Sequence, residues 1–245
     1  MNFVQFAESR DQLFQQIREV QAREYCYEIL SERIEPTIAG KKYGIGGHTM
    51  IRGALGPNFL EEHVIGRTSR GRLCSTAKAP DYIYYFDDGK RLVKVDWLTE
   101  AGVCTEYIIK EGNASYGFHF SGKDHWKDGV YAVLLEDGHI GAAIYHEVIG
   151  NTGIPTNYDA WTFAYADGRP VFVASCYAKE RPDMIHSMIL SSFGFRLEYD
   201  EKDQIIRYHA SSRLDSDRDG PRSERSFDLA RPIPPKVWRQ TYGLI

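Results

Sequence analysis

Hydrophobic and polar positions follow two rhythms along this chain. Between residues 9 and 26, Leu13, Phe14, Ile17 and Val20 recur at helical spacing over a polar remainder, which predicts an amphipathic helix at about 9–26. Ser9 with Gln12 three residues later fits a capping box, in which the serine oxygen accepts an otherwise orphaned backbone N–H. The stretch "REYCYEILSERIE", residues 23–35, either prolongs this helix or begins a strand, since Tyr25, Tyr27 and Ile29 alternate along it.

Beyond Pro36 the rhythm shortens to two. In "RLVKVDWL" (91–98), Val93, Val95 and Trp97 share one parity while Lys94 and Asp96 take the other, the alternation of a half-buried strand. "TEYIIK", "VYAVLLE", "GAAIYHEVI", "AWTFAYA", "PVFVASCYA", "FGFRLEY" and "QIIRYHASS" are further short runs rich in β-branched and aromatic residues. The predicted fold is therefore mainly β (α+β): an antiparallel meander of about eight or more strands with one N-terminal helix. We expect a single domain over 1–245, with a β-rich body at about 37–212 and a loop and C-terminal tail at 213–245. The tail's Val237, Trp238, Tyr242, Leu244 and Ile245 are too apolar to hang in water and are expected to lie back across the body.

Between the runs, one corner recurs. The windows "FDDGKRL" (86–92), "YADGRPV" (165–171) and "YDEKDQI" (199–205), with "LEDGHIG" (135–141) as a looser fourth, each set an apolar or aromatic residue before a turn and leave on an apolar one. Asp-Gly is a strong hairpin signal because glycine, and to a lesser degree aspartate, accepts the positive φ of a tight turn. The spacing between windows is irregular, so no strict solenoid is expected. The windows resemble the aromatic–Asp–x–x–Gly–basic–apolar motif of the YD or RHS repeats of bacterial polymorphic toxins and their relatives. That resemblance implies stacked β-hairpins and a place in toxin systems.

Composition narrows the classes. Hydrophobic residues make up 42% and charged residues 26% of the 245, ordinary for a globular chain. No stretch approaches the roughly 18 apolar residues of a membrane-spanning helix. The N-terminus lacks the basic and apolar regions of a secretory signal, so a cytoplasmic address is expected. A net charge of −4 argues against a nucleic-acid footprint. Cys26, Cys74, Cys104 and Cys176 form no CxxC pair, and reduced, mostly buried thiols are expected.

Candidate chemistry is sparse. "AGKKYGIGGHT" (39–49) lacks the lysine of a phosphate loop and the third glycine of a dinucleotide loop. None of the eight histidines forms HExxH or HxH. His119, Asp124 and His125 lie close together in "GFHFSGKDHW" and are the candidates for an acid–base or ligand-binding cleft. "DSDRDGPRSERS" (215–226) places Asp215, Asp217, Asp219 and Gly220 at calcium-loop spacing, but Ser226 stands where the bidentate glutamate belongs. No metal or other cofactor is therefore expected. With no catalytic constellation on view, the function expected is non-catalytic binding of another protein, in its sharpest form as an immunity protein neutralising a bacterial toxin. Tyr82, Tyr84 and Tyr165 are the expected exposed anchors, since tyrosine contributes large contact area at small entropy cost. The alternative is an enzyme or small-ligand binder at His119, Asp124 and His125.

Overall fold

The computed structural model describes residues 15, 19, 25–45, 72–100, 102–136, 139–147, 157–180, 188–214 and 223–235. Within them the chain is mainly β. A short helix, α1 (Tyr27–Ile34), and a 3-10 turn (Glu35–Thr37) precede β1 (Ile38–Ile45), β2 (Arg72–Cys74), β3 (Tyr82–Asp87) and β4 (Leu92–Thr99). There follow β5 (Gly102–Glu111), β6 (Ala114–Ser121), β7 (Trp126–Glu136), β8 (His139–Glu147) and β9 (Asn157–Ala166). The last four are β10 (Arg169–Glu180), β11 (Met188–Tyr199), β12 (Ile205–Leu214) and β13 (Ser223–Ile233). These thirteen strands form one antiparallel sheet in which β3 to β13 lie side by side in chain order, β1 flanks β3, and β2 closes that end. Strands β2 and β13 are thus its edges.

The predicted helix at 9–26 falls largely outside the described residues, but Gln15 and Glu19 are helical and joined by a 3.1 Å side-chain hydrogen bond. In the ambiguous stretch 23–35 the helical reading prevails. Leu30 and Ile34 stand four apart on one face of α1 and are buried, and that burial outweighs the alternation of Tyr25, Tyr27 and Ile29, which leaves Ile29 46% exposed. Glu28 in the first turn favours the helix dipole, and the α-helix tightens after Ile34 into the 3-10 turn Glu35–Thr37, where Pro36, which has no N–H to donate, sits in the first turn.

Because directly opposed residues of paired strands share a face, the register sorts side chains into two sets. One set, the helix face, includes Lys94, Tyr107, Phe118 and Val130 in neighbouring positions. There α1 packs Leu30 and Ile34 against Tyr107, Ile109, Phe118, Phe120, Val130 and Ala132. Tyr25 meets Phe118 edge-on at 5.1 Å, and Tyr27 meets Tyr107 and Phe120 likewise. Farther along the helix face, Thr162, Ala174, Gly194 and Ser211 are successive partners. A Cβ on Gly194 would stand 2.8 Å from Phe172 Cζ, so this position stays bare to admit the ring. The opposite, far face carries two further clusters: Tyr82, Tyr84 and Val95 near β3, and Val133, Phe163, Val173, Leu197, Tyr208 and others from β7 to β13.

Two of the sequence windows share a turn. In 86–92, Asp87 O accepts from Lys90 N, Asp87 N donates to Arg91 O, and the Asp87 carboxylate accepts from Arg91 N at 2.8 Å. In 199–205, Asp200 makes the same three bonds with Asp203 and Gln204. Each turn places its left-handed residue four positions after the leading aromatic, at Lys90 (φ 60) and Asp203 (φ 60). Gly89 was expected to take the positive φ of the first turn. It does not, because the side-chain-capped four-residue turn moves that requirement one residue on. The window 165–171 turns more tightly, with both Asp167 and Gly168 at positive φ and Ala166 facing Arg169.

One boundary is corrected. Residues 223–233, expected within a loop and tail, form β13, whose Phe227 opposes Tyr208 and whose Ile233 opposes Ile205. The charged letters of this segment hid its strand, since an edge strand buries few side chains.

Candidate protein-binding face

The expected anchors are mostly core. Tyr84 is 0% exposed and Tyr82 7% exposed, which corrects the expectation that these rings face solvent. Tyr84 opposes Val95, and Tyr82 lies between Tyr84 and Trp97, stacked at 6.0 and 5.9 Å respectively. An aromatic-rich strand in the interior of a wide sheet buries its rings, whichever face they take. Tyr165 is half-buried, packed against the far-face cluster. Among the described residues the rings that do meet solvent are Trp97 (36% exposed), Trp126 (45%), Phe193 (41%) and Phe227 (40%). Phe227 stacks at 5.0 Å on Tyr208, which in turn lies 6.1 Å from Phe195. Arg225, exposed on the same face, is the direct neighbour of Ala210 and sits two residues from Phe227. An aromatic row thus runs across β11, β12 and β13 and ends in solvent at the sheet edge.

The cleft expected at His119, Asp124 and His125 does not form. His119 lies between Phe118 and Phe120 on β6, so it points to the far face, opposite Glu106. His125 lies in the β6–β7 turn at φ 48, and its ring stacks on Tyr27 of α1 at 3.6 Å, on the helix face. Asp124 is exposed in the same turn. The sheet itself separates the two imidazoles.

No protein family, curated protein or solved structure matches this chain. The geometry therefore carries the functional reading.

Asp215, Asp217 and Asp219 lie outside the described residues. Among the described residues no set of three or more His, Cys, Asp or Glu side chains is placed to hold a metal ion. Ser226, the odd residue of the calcium spacing, is an exposed member of β13. Cys26 is exposed and Cys74 and Cys104 are half-buried, all three as free thiols, so the expected burial of the cysteines is corrected for these. No helix among the described residues is long and apolar enough to cross a membrane.

Two polar clusters escaped the sequence reading. Lys94 donates to Glu35 Oε1 at 2.6 Å and lies 3.6 Å from Asp96, while Tyr85 and Thr105 hydroxyls donate to Asp96 and Tyr107 donates to Glu35. Burial, joined by the Asp96 charge, pushes the Tyr85 phenol well above its ordinary value, and burial does the same for Tyr107. The lysine ammonium also lies 4.9 Å from the centre of the Tyr85 ring. Every charge in this group has a partner, and it clamps the turn after α1 onto β4 and β5. The second cluster spans β11 to β13 on the helix-face side. His209 Nδ1 lies 2.7 Å from Ser226 Oγ, and its Nε2 lies 2.5 Å from Glu198 Oε1. Arg207 pairs with Asp228 at 2.5 Å and with Glu198 at 3.4 Å. The hydrogen bond from His209, against a smaller effect of burial, holds the Glu198 carboxyl below its ordinary value. Period-two alternation assigns these residues to the polar side of their strands, but their meeting depends on a three-strand register that the linear sequence does not display.

Proposed function

We propose that this is a protein-binding module that receives its partner on the far face of the sheet, across β11–β13. The observation that supports it is the exposed end of the aromatic row at Phe227, with Phe193 exposed on the same face two residues from Phe195, beside rings that are already stacked. Such rings lose little entropy on binding and remove large apolar areas from water, which is the profile of an interface anchor. Arg225 beside them favours a partner whose apolar pocket carries an acidic rim. In its sharpest form the partner is a bacterial toxin that this protein neutralises, a reading supported by the resemblance of the hairpin windows to polymorphic-toxin repeats.

The test is to co-produce the chain with the products of its neighbouring genes, and to measure growth protection wherever one of them is toxic and binding by calorimetry. Wild-type protein should protect and bind. Phe193→Asp with Phe227→Asp should abolish both while the protein still unfolds cooperatively, because each truncated anchor costs on the order of 2 kcal/mol or more of binding. Equal binding and protection by the double variant would refute this face as the interface.

A further inference from the structure

Beyond partner binding, we propose that Ser226 is an activated nucleophile that accepts acyl groups from carboxylic esters, with His209 as its base and Glu198 as the positioning residue. The three side chains form an unbroken chain of hydrogen bonds, Ser226 Oγ to His209 Nδ1 at 2.7 Å and His209 Nε2 to Glu198 Oε1 at 2.5 Å. Carboxylate contact decides the tautomer: a Glu198 held ionised accepts the Nε2 proton, which leaves Nδ1 as the acceptor for the serine hydroxyl. That is the division of labour of a serine triad, with the two ring nitrogens exchanged. The register makes it possible. Ser226 is the direct cross-strand partner of His209, and Glu198 lies two residues beyond Arg196, the partner of His209 on its other side.

The supporting charges are in place. Arg207 holds Glu198 and Asp228, so the carboxylate is braced from a second direction. Arg196 lies across from His209 and favours the ionised Glu198. Ser226 is exposed on β13, so a substrate can reach its hydroxyl.

In the step itself, Ser226 Oγ bonds to the carbonyl carbon of the ester as its proton passes to His209 Nδ1. The carbon–oxygen bond to the alcohol then breaks, and the alcohol leaves with that proton. Water attacks the acyl-Ser226 ester by the same route and releases the carboxylic acid, so ester and water become acid and alcohol.

The test uses the full chain, a fluorophosphonate probe read by intact mass and peptide mapping, and p-nitrophenyl acetate hydrolysis. The wild type should take one phosphonyl group on Ser226 and hydrolyse the ester. Ser226→Ala should abolish both. His209→Gln should slow labelling by about 100-fold or more, and Glu198→Gln should alter the pH dependence of labelling, each with an unchanged melting curve. A wild type that takes no adduct, an adduct that persists in Ser226→Ala, or a His209→Gln variant labelled at the wild-type rate would each overturn the proposal.

Discussion

Tyr84 and Trp97 sit on the same face of adjacent strands, yet water reaches only one of them. Replacing a fully buried ring with alanine removes its burial and leaves a cavity, so Tyr84→Ala should cost about 3–5 kcal/mol in urea denaturation, the range for large aromatic truncations. Trp97→Ala should cost clearly less, and equal losses would contradict the burial difference. At the β3–β4 turn, Lys90 holds φ 60, a conformation that costs a non-glycine residue roughly 1–2 kcal/mol. Lys90→Gly should therefore stabilise the protein by up to about 1 kcal/mol after glycine's greater unfolded-state freedom is deducted. A lower denaturation midpoint in Lys90→Gly would show that the turn does not carry this strain.

Two hairpins of this sheet are held at their corners by carboxylates, Asp87 and Asp200. Burial raises the Asp87 carboxyl, but hydrogen bonds from the Arg91 side chain and backbone and the Arg91 charge outweigh it, and the net position is below the ordinary value. A carboxyl lowered on folding contributes stability that is complete above its unfolded value, near 4, and is lost as pH falls through its folded value. Asp87→Asn should consequently flatten the acid limb of stability between about pH 5 and 2, measured as the denaturation midpoint against pH. An acid limb as steep as that of the wild type would remove Asp87 from the account. The turn after α1 is tied to the sheet by Lys94, nine-tenths buried against Glu35 and Asp96, together with Tyr107. Lys94→Ala leaves Asp96 in place without its cation and should cost about 3–5 kcal/mol, as breaking a buried pair does. A loss below about 1 kcal/mol would place this pair among surface ion pairs.

The described residues form one wide sheet with α1 packed against its middle strands and with β2 and β13 last in order at its two sides. Amide hydrogen exchange should accordingly be slowest in β5, β6 and β7 beneath α1 and fastest among the strands in β2 and β13, because edge amides open without breaking the core. Uniform protection from β2 to β13 would contradict that gradient. Much of this architecture was legible in the linear pattern. Alternation in "RLVKVDWL", the corner at Asp87–Arg91 and the succession of aromatic runs are local properties, and each demands an antiparallel hairpin whatever surrounds it. The spacing of Leu30 and Ile34 was equally local, though Tyr25, Tyr27 and Ile29 offered a competing period over the same residues. What alternation cannot state is how much of each face is covered. Tyr84 and Phe227 are both rings in strand patterns, and only the width of the sheet makes one core and the other surface. His119 and His125, six residues apart in sequence, fall on opposite sides because strand parity and a turn intervene. Glu198, His209 and Ser226, far apart in sequence, meet because three strands align. The sequence by itself determined a β meander with a helical start, since periodicity and turn chemistry act between near neighbours. The tertiary structure alone decided burial and side-chain encounters, since both depend on the register and cover of strands that are distant along the chain.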